Sequence, residues 1–436
     1  GSEMCIRDRY NLYHTYLLDI QIECLIINTM KVVHINFSDS YGGAAIAAYR
    51  HCQAMRKAGI DASMLVLLKG KKSDNHIYKI YNSKIKERTI FILHLALKKI
   101  FTHLFQPWET FSFPIINIPI YKHHLVQEAD IIYLHWVTGA ILSAKEIENL
   151  LKLNKPIKWY FHDMNPITGG CHHSLDCDLY KKECKNCPLL HKKYKWIDLA
   201  KYQFEQRAKH WTKYKNIEIY SPSNWLKECV EKSTIWRNHK ITLFQNVFDT
   251  EKFHPVNKEH CKTLLNIKTT KKLVLFGAAD INCEYKGWSY MQSALNLLDP
   301  QKYEAIIFGE KNSLISNNLK INTHFTGYLQ DEYSMILVYN AADVFVSSSL
   351  ADNFPNVIME SMACGTPCVG FNVGGIPEQI KHKINGYIAK FKDYKDLEMG
   401  IKYICEAPNK KYIQMQKAAR DFVCIHASVS YTHLRA

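Results

Sequence analysis

The stretch from Val344 to Glu378, VFVSSSLADNFPNVIMESMACGTPCVGFNVGGIPE, constrains this chain more than any other. Val344 to Val346 is apolar and largely β-branched and reads as a strand, and Ser347 to Ser349 loosen it into a loop. Asp352–Asn353–Phe354–Pro355 then turns into a helix carrying Glu360, because proline in a first helical turn forfeits no needed hydrogen bond and has its φ preset. Cys364–Gly365–Thr366–Pro367 stops that helix, and a second apolar strand, Cys368 to Phe371, runs on to Gly374–Gly375. Strand, loop, helix and strand in this order make one unit of a parallel sheet, which takes ligands at the carboxyl ends of its strands. A helix N-terminus there presents unpaired N–H groups and a positive dipole end, which suits a phosphate. Asp352 in the loop and Glu360 about two turns along the helix can accept hydrogen bonds from vicinal hydroxyls. The unit is expected to hold a phosphate that bears sugars.

The same alternation recurs elsewhere. Lys31 to Phe37 is a strand followed by Gly42–Gly43 and a helical run through Ala45, Tyr49, Cys52 and Met55, with Ser63 to Leu68 as the next strand. Asp130 to Leu134 delivers His135–Trp136 at its carboxyl end, and Lys158 to Phe161 delivers His162–Asp163, where α/β folds keep groups that face ligands. Ile217 to Ser221 is a strand, and Pro222–Ser223–Asn224–Trp225 starts a helix. Leu273 to Phe276 with Gly277, then Lys286–Gly287, Ala305 to Phe308 and Thr323 to Tyr328, repeat the pattern. At 436 residues the chain suits two domains, divided near Phe253–His254–Pro255: residues 30–253, carrying a cysteine-rich insertion at 168–188, and residues 254–406. Residues 1–29 read as a non-native leader, and 407–436 as a partial helix followed by a non-native tail whose pattern fades after Arg420.

Hydrophobic content of 47% and charged content of 22% describe a globular chain, and no apolar run is long enough to span a bilayer. The net charge of +15 invites an anionic partner. Lys84 to Phe105 is basic at its ends and bulky in the middle. It suits either a helix on an anionic inner-leaflet surface or a packed helix, since Ile90 to Leu97 is apolar nearly all round. His191 to Tyr214 is read as a basic amphipathic helix with Trp196, Leu199, Tyr202 and Phe204 turned inward, not as a nucleic-acid surface, and no nucleic-acid partner is expected. Fourteen cysteines without a signal peptide point to a reducing, cytoplasmic setting. Cys171, Cys177, Cys184 and Cys187 fall within 17 residues, the last two as C-x2-C, a density at which thiolates can close on a structural Zn²⁺. Two disulfides or free thiols are the alternatives, and His172 or His173 could replace one sulfur. Asp176-x-Asp178, with no apolar strand before it, is a coincidental DxD.

The run Asp352 to Glu360, with Ala363–Cys364–Gly365–Thr366–Pro367 and Gly374–Gly375–Ile376–Pro377–Glu378, resembles the acid-x7-Glu motif of glycosyltransferase family 4. HDM followed by TGGCH and a later CxxCP is similar to a subgroup of that family tied to bacterial surface polysaccharides. The resemblance covers the whole span between the two ends. It implies the GT-B fold, two Rossmann-like α/β domains facing across a cleft. It also implies retaining hexosyl transfer from a nucleotide-diphosphate sugar to a lipid-linked or oligosaccharide acceptor, with no cofactor for the chemistry. By the same resemblance Asp352, one methylene shorter than the usual Glu, contacts the donor sugar, and Glu360 the ribose. The backbone at Asn353, Phe354, Pro355 and Asn356 holds the sugar and diphosphate. Gly42, Gly43 and Gly277 lie on the donor side, and Lys286 neutralises phosphate without the Arg many relatives place before it. His162 lines the acceptor side with His135 and Asp163, so that His162, Asp352 and Lys286 form the catalytic set. Two other readings remain: an epimerase or phosphorylase on the same fold, and a basic zinc-binding nucleic-acid protein.

Overall fold

Two all-parallel sheets organise the chain in the computed structural model, which describes residues 30–105, 107, 110–114, 117–138, 141–191, 197–278, 283–309, 319–329 and 331–433. The expected leader, 1–29, lies outside them. The first sheet contains β1 (Lys31–Ser38), β2 (Asp61–Leu68), β3 (Ile77–Lys79), β4 (Ile131–Leu134), β5 (Ile157–Tyr160), β6 (Ile217–Ser221) and β7 (Lys240–Leu243) in the order β3-β2-β1-β4-β5-β6-β7. The second contains β8 (Lys272–Gly277), β9 (Tyr303–Phe308), β10 (Thr323–Gly327), β11 (Val344–Ser347), β12 (Cys368–Phe371) and β13 (Gly386–Ala389) in the order β10-β9-β8-β11-β12-β13. All six residues of β9 and all four of β11 and β12 are buried, as expected where helices cover both faces of a parallel sheet. The short edge strands β3, β7 and β13 escaped the sequence reading because three or four residues of mixed polarity carry no period.

Both sheets reverse direction of growth at one place, between β1 and β4 and between β8 and β11. At such a switch point the crossover helices diverge to opposite faces and leave a crevice at the carboxyl ends of the strands. The first domain is cored by Trp159, Trp211 and Trp236, whose rings meet pairwise at 5.3–5.7 Å.

One helix is present with the bounds expected of it, and two others depart from expectation. Lys84–Phe105 is a helix, but only Phe101 and Phe105 are buried, and Ile85, Ile92, Leu93, Leu95 and Ile100 are exposed. The basic aromatic helix is shorter than read, Leu199–Trp211, because the side chain of Asp198 caps it by accepting from the amide of Lys201. Phe204 and Trp211 turn inward there while Tyr202 is exposed, and Trp196 lies outside the described residues. The pattern does not fade after Arg420. A helix spans Asn409–His433, with Met415, Ala419 and Val423 buried. Arg420 donates to the carbonyls of Thr250, Phe253 and Ala363, so this helix clasps the interdomain connection. The helix expected as partial is therefore longer than read: its apolar positions recur at four-residue intervals, which the polar residues between them obscure. No helix among the described residues is long and apolar enough to cross a membrane.

Candidate active site

The helix Asn356–Ala363 starts at Pro355 with no side chain capping its first turn. The loop before it is pressed against Gly374 and Gly375, where an added Cβ would stand 1.9 Å from the carbonyl oxygen of Asp352 and 1.8 Å from that of Asn353. Only glycine permits that approach, and it fixes the backbone from which Asp352 and Asn353 project. The Asp352 carboxylate accepts from Lys286 Nζ at 2.7 Å. Burial works against the ammonium charge of Lys286, but Asp352 and Tyr285 outweigh it and hold the group above the usual lysine range. About one turn into the helix, Glu360 is buried with both oxygens engaged, one by Arg50 Nη2 and the other by the Tyr339 hydroxyl, each at 2.9 Å.

The first domain supplies the opposite wall. Gly42, at φ +85°, opens the helix Gly43–Lys57, and the Gly43 carbonyl accepts from Asn356 Nδ2 at 3.0 Å. The carbonyl of His162 accepts from Asn353 Nδ2 at 3.2 Å, and Ser223 Oγ donates to Asn353 Oδ1 at 2.5 Å. Asn246 donates to Asn356 Oδ1 at 2.8 Å, and Glu378 accepts from the amides of Asn224 and Trp225 at 2.8 and 2.7 Å. The His162 ring meets His135, and Asp163 accepts from His172 Nδ1 and Trp136 Nε1 at 2.6 and 3.0 Å. Burial pushes the imidazole of His162 down to about 4 against the pull of Asp163.

The structure therefore brings Gly42, Gly43, His162, Lys286, Asp352, Asn353, Asn356 and Glu360 to one interdomain seam. Phe354 is buried in the second domain's core, and only its carbonyl reaches the seam, toward Asn246. Gly277 ends β8 with the ring of Phe308 lying 2.3–2.4 Å from where a Cβ would stand, so its missing side chain is filled from within its own domain. Sequence reasoning missed Arg50, Tyr339 and the bridging role of Ser223. Arg50 had a signal: it lies two turns after Gly43, on the helix face that starts at the glycine pair.

The four cysteines line one small pocket beside the site. Cys171, Cys184 and Cys187 are buried there and Cys177 is half-buried. Four sulfur donors in one cavity suit Zn²⁺ chemically. Zn–S bonds of about 2.3 Å put sulfurs about 3.8 Å apart, and no three of these come within 4.8 Å of one another, so metal binding would draw the loop tighter. Neither histidine of the loop joins them: His172 is held by Asp163 and Ser112, and the His173 ring faces Tyr285 of the second domain at 5.1 Å. Asp176 and Asp178 are exposed.

Residues 257–422 match the family model described as glycosyl transferases group 1. N-acetyl-alpha-D-glucosaminyl L-malate synthase of Bacillus anthracis is 41% identical over 64 residues, 15% of this chain and 16% of that protein. N,N'-diacetylbacillosaminyl-diphospho-undecaprenol alpha-1,3-N-acetylgalactosaminyltransferase of Campylobacter jejuni is 25% identical over 42% of this chain and 50% of its own length. The matches thus span half or less of these two curated relatives. Among solved structures, sucrose-phosphate synthase of Thermosynechococcus elongatus aligns with a TM-score of 0.64 at 15% identity, over 93% of this chain and 97% of that one. The Anabaena protein HepE in complex with UDP-glucose aligns at 0.62 and 14% identity, over 93% and 98%. These likenesses show the fold: two parallel-sheet α/β domains in the GT-B arrangement.

Proposed function

We propose that this chain, which carries a glycosyl transferases group 1 domain, is a retaining glycosyltransferase. Its donor is a nucleotide-diphosphate sugar, and its acceptor is a lipid-linked or oligosaccharide hydroxyl in surface polysaccharide synthesis. The observation that carries the reading is the convergence of a cation, two carboxylates and an uncapped helix start where the switch points of the two sheets face each other. Lys286 exchanges Asp352 for the donor diphosphate, Asp352 turns to the sugar hydroxyls, and Glu360 exchanges Arg50 for the ribose. The acceptor oxygen then bonds to the anomeric carbon as the bond to the diphosphate breaks, and the departing phosphate oxygen takes the hydroxyl proton on the same face. The protein contributes position and stabilisation of the leaving charge.

Two further features belong to this reading. On the helix Lys84–Phe105, exposed Ile85, Ile92 and Ile100 form a stripe flanked by exposed Arg88 and Lys99, chemistry suited to an anionic lipid surface from which a lipid-linked acceptor is taken. The thiolates of Cys171, Cys177, Cys184 and Cys187 would hold a structural Zn²⁺ that stiffens the loop supporting Asp163.

The test is thermal melting and calorimetry with UDP, GDP, ADP, CMP and their sugar conjugates. One base should raise the midpoint, by about 2.7 kcal/mol of stability at a hundredfold excess over Kd. Glu360→Ala should abolish that shift. A nucleotide that binds equally well to Glu360→Ala and Lys286→Ala would place the ligand elsewhere and end the reading.

A further inference from the structure

Met55, His34, His135 and His162 form an unbroken file that runs from the core of the first domain to the seam. Met55 Sδ lies 3.3 Å from His34 Nε2, His34 Nδ1 lies 2.9 Å from His135 Nε2, and His135 Nδ1 lies 3.1 Å from His162 Nε2. The rings stack along the file, at 5.2 Å and 17° for His34 with His135 and at 5.4 Å and 28° for His135 with His162.

Each nitrogen pair in the file holds one proton, and a neutral imidazole carries one N–H and one bare nitrogen. If all three rings are neutral, only two arrangements satisfy every link: all N–H groups point toward Met55, or all point toward His162. Neutrality follows from burial, which holds His34 and His135 well below the usual histidine range and His162 at about 4. The groups facing the file add no stable positive charge: His51, itself pushed down to about 3 by burial, lies beside it with Tyr133, Tyr160 and Asp163.

The sulfur chooses between the two arrangements. A thioether accepts weakly and has no proton to give, so His34 Nε2 carries hydrogen; otherwise two lone pairs would face each other in a dry interior. His34 Nδ1 is then bare and accepts from His135 Nε2–H. His135 Nδ1 is bare in turn and accepts from His162 Nε2–H. His162 Nδ1 is left without a proton, and no group among the described residues hydrogen-bonds it.

We infer that Met55, His34 and His135 are positioning residues that lock the tautomer of His162, so that His162 offers the seam a hydrogen-bond acceptor at Nδ1. Such a nitrogen receives a hydroxyl and cannot donate to a phosphate oxygen. Under the proposed function it therefore serves a sugar hydroxyl and not the leaving group. That assignment of the hydroxyl rests on the transferase reading; the tautomer does not.

The experiment uses the full chain labelled with ¹⁵N-histidine and long-range ¹H–¹⁵N correlation at neutral pH. Signals are assigned from those that vanish in His34→Gln, His135→Gln and His162→Gln. All three histidines should show the Nε2–H pattern. An Nδ1–H on any of them overturns the lock. So does a metal-shifted nitrogen at His34, His51 and His135, whose ligand atoms lie within 4.8 Å of one another, since a coordinated nitrogen carries no proton. Met55→Leu removes the only acceptor that biases the file, so an Nδ1–H population should appear at His162. There kcat for transfer should fall in proportion to the Nε2–H population lost, about twofold for an even mixture, with donor KM unchanged. An unaltered tautomer in Met55→Leu refutes the role of the sulfur. The spectra report on the lock even if no transfer is detected, which separates its failure from that of the proposed function.

Discussion

Arg50→Met probes a buried ion pair that joins the two domains. Arg50 Nη2 lies 2.9 Å from both Glu332 and Glu360, and its guanidinium packs over Phe248 and Phe253 at 4.8 and 5.1 Å. Burial disfavours the charge, and Glu360 and Glu332 more than offset it. Methionine keeps an apolar stem on the two rings but leaves Glu360 buried with one donor, the Tyr339 hydroxyl. An uncompensated buried charge of this kind costs about 3–5 kcal/mol. Glu332 is more exposed and keeps Lys252, so its share is under about 1 kcal/mol. Arg50 and Glu360 sit on different domains, so the chain can escape most of the cost by opening the seam and wetting Glu360. The loss should therefore fall on closure more than on unfolding: the radius of gyration from X-ray scattering rises, and the melting midpoint drops by only a few degrees. Nucleotide affinity should hold or improve, because ribose no longer competes with the guanidinium for Glu360. Adding Glu360→Gln should recover part of the effect, with a coupling of about 1–3 kcal/mol. Scattering and melting identical to the parent, or strict additivity in the double variant, would refute this account of the seam.

Lys286→Gln should weaken UDP binding about ten- to a hundredfold while sparing uridine, since a charge-assisted hydrogen bond contributes about 1.5–3 kcal/mol; calorimetry with both ligands decides, and equal loss for both would count against a phosphate role. Folding holds His162 at about 4 and His51 at about 3, below the ordinary value near 6.5, so between those limits the unfolded chain binds more protons. Stability is then full above about pH 6.5 and falls on acidification toward pH 4, by at most about 1.4 kcal/mol per pH unit per histidine, and urea midpoints flat across that range would contradict it. Purified chain should carry about one Zn²⁺ per molecule by elemental analysis under the loop proposal, and Cys184→Ser should lose the metal and lower the melting midpoint. Metal-free protein with unchanged melting would dismiss zinc. Ile92→Glu should reduce sedimentation with phosphatidylglycerol vesicles and leave phosphatidylcholine at background, whereas equal sedimentation of both forms would argue that the exposed stripe meets something other than lipid.

What the sequence discloses here is what local physics writes into it. The turn at Asp352–Pro355 and the stop at Gly365 answer to backbone constraints within a few residues, and the placement of His135, His162 and Asp352 past the carboxyl ends of their strands follows from strand order. The seam is different. Arg50 and Glu360 are 310 positions apart, and Ser223 and Asn353 are 130 apart, so no period or turn signal relates them. The full length of the helix Asn409–His433 escaped notice for a related reason: Met415, Ala419 and Val423 make a stripe too thin to register as a period, yet Ala419 and Val423 pack against a surface already built by Phe253 and the helix Asn356–Ala363, and Met415 against the neighbouring cluster. The His34–His135–His162 file combines both cases. Each histidine sits on or just past its own strand in the plain sequence pattern, but their alignment requires β1, β4 and β5 to be neighbours, and their polarity requires Met55 from a crossover helix. The chemistry of His162 is thus set by a residue that, read locally, is only one more apolar position on a helix face.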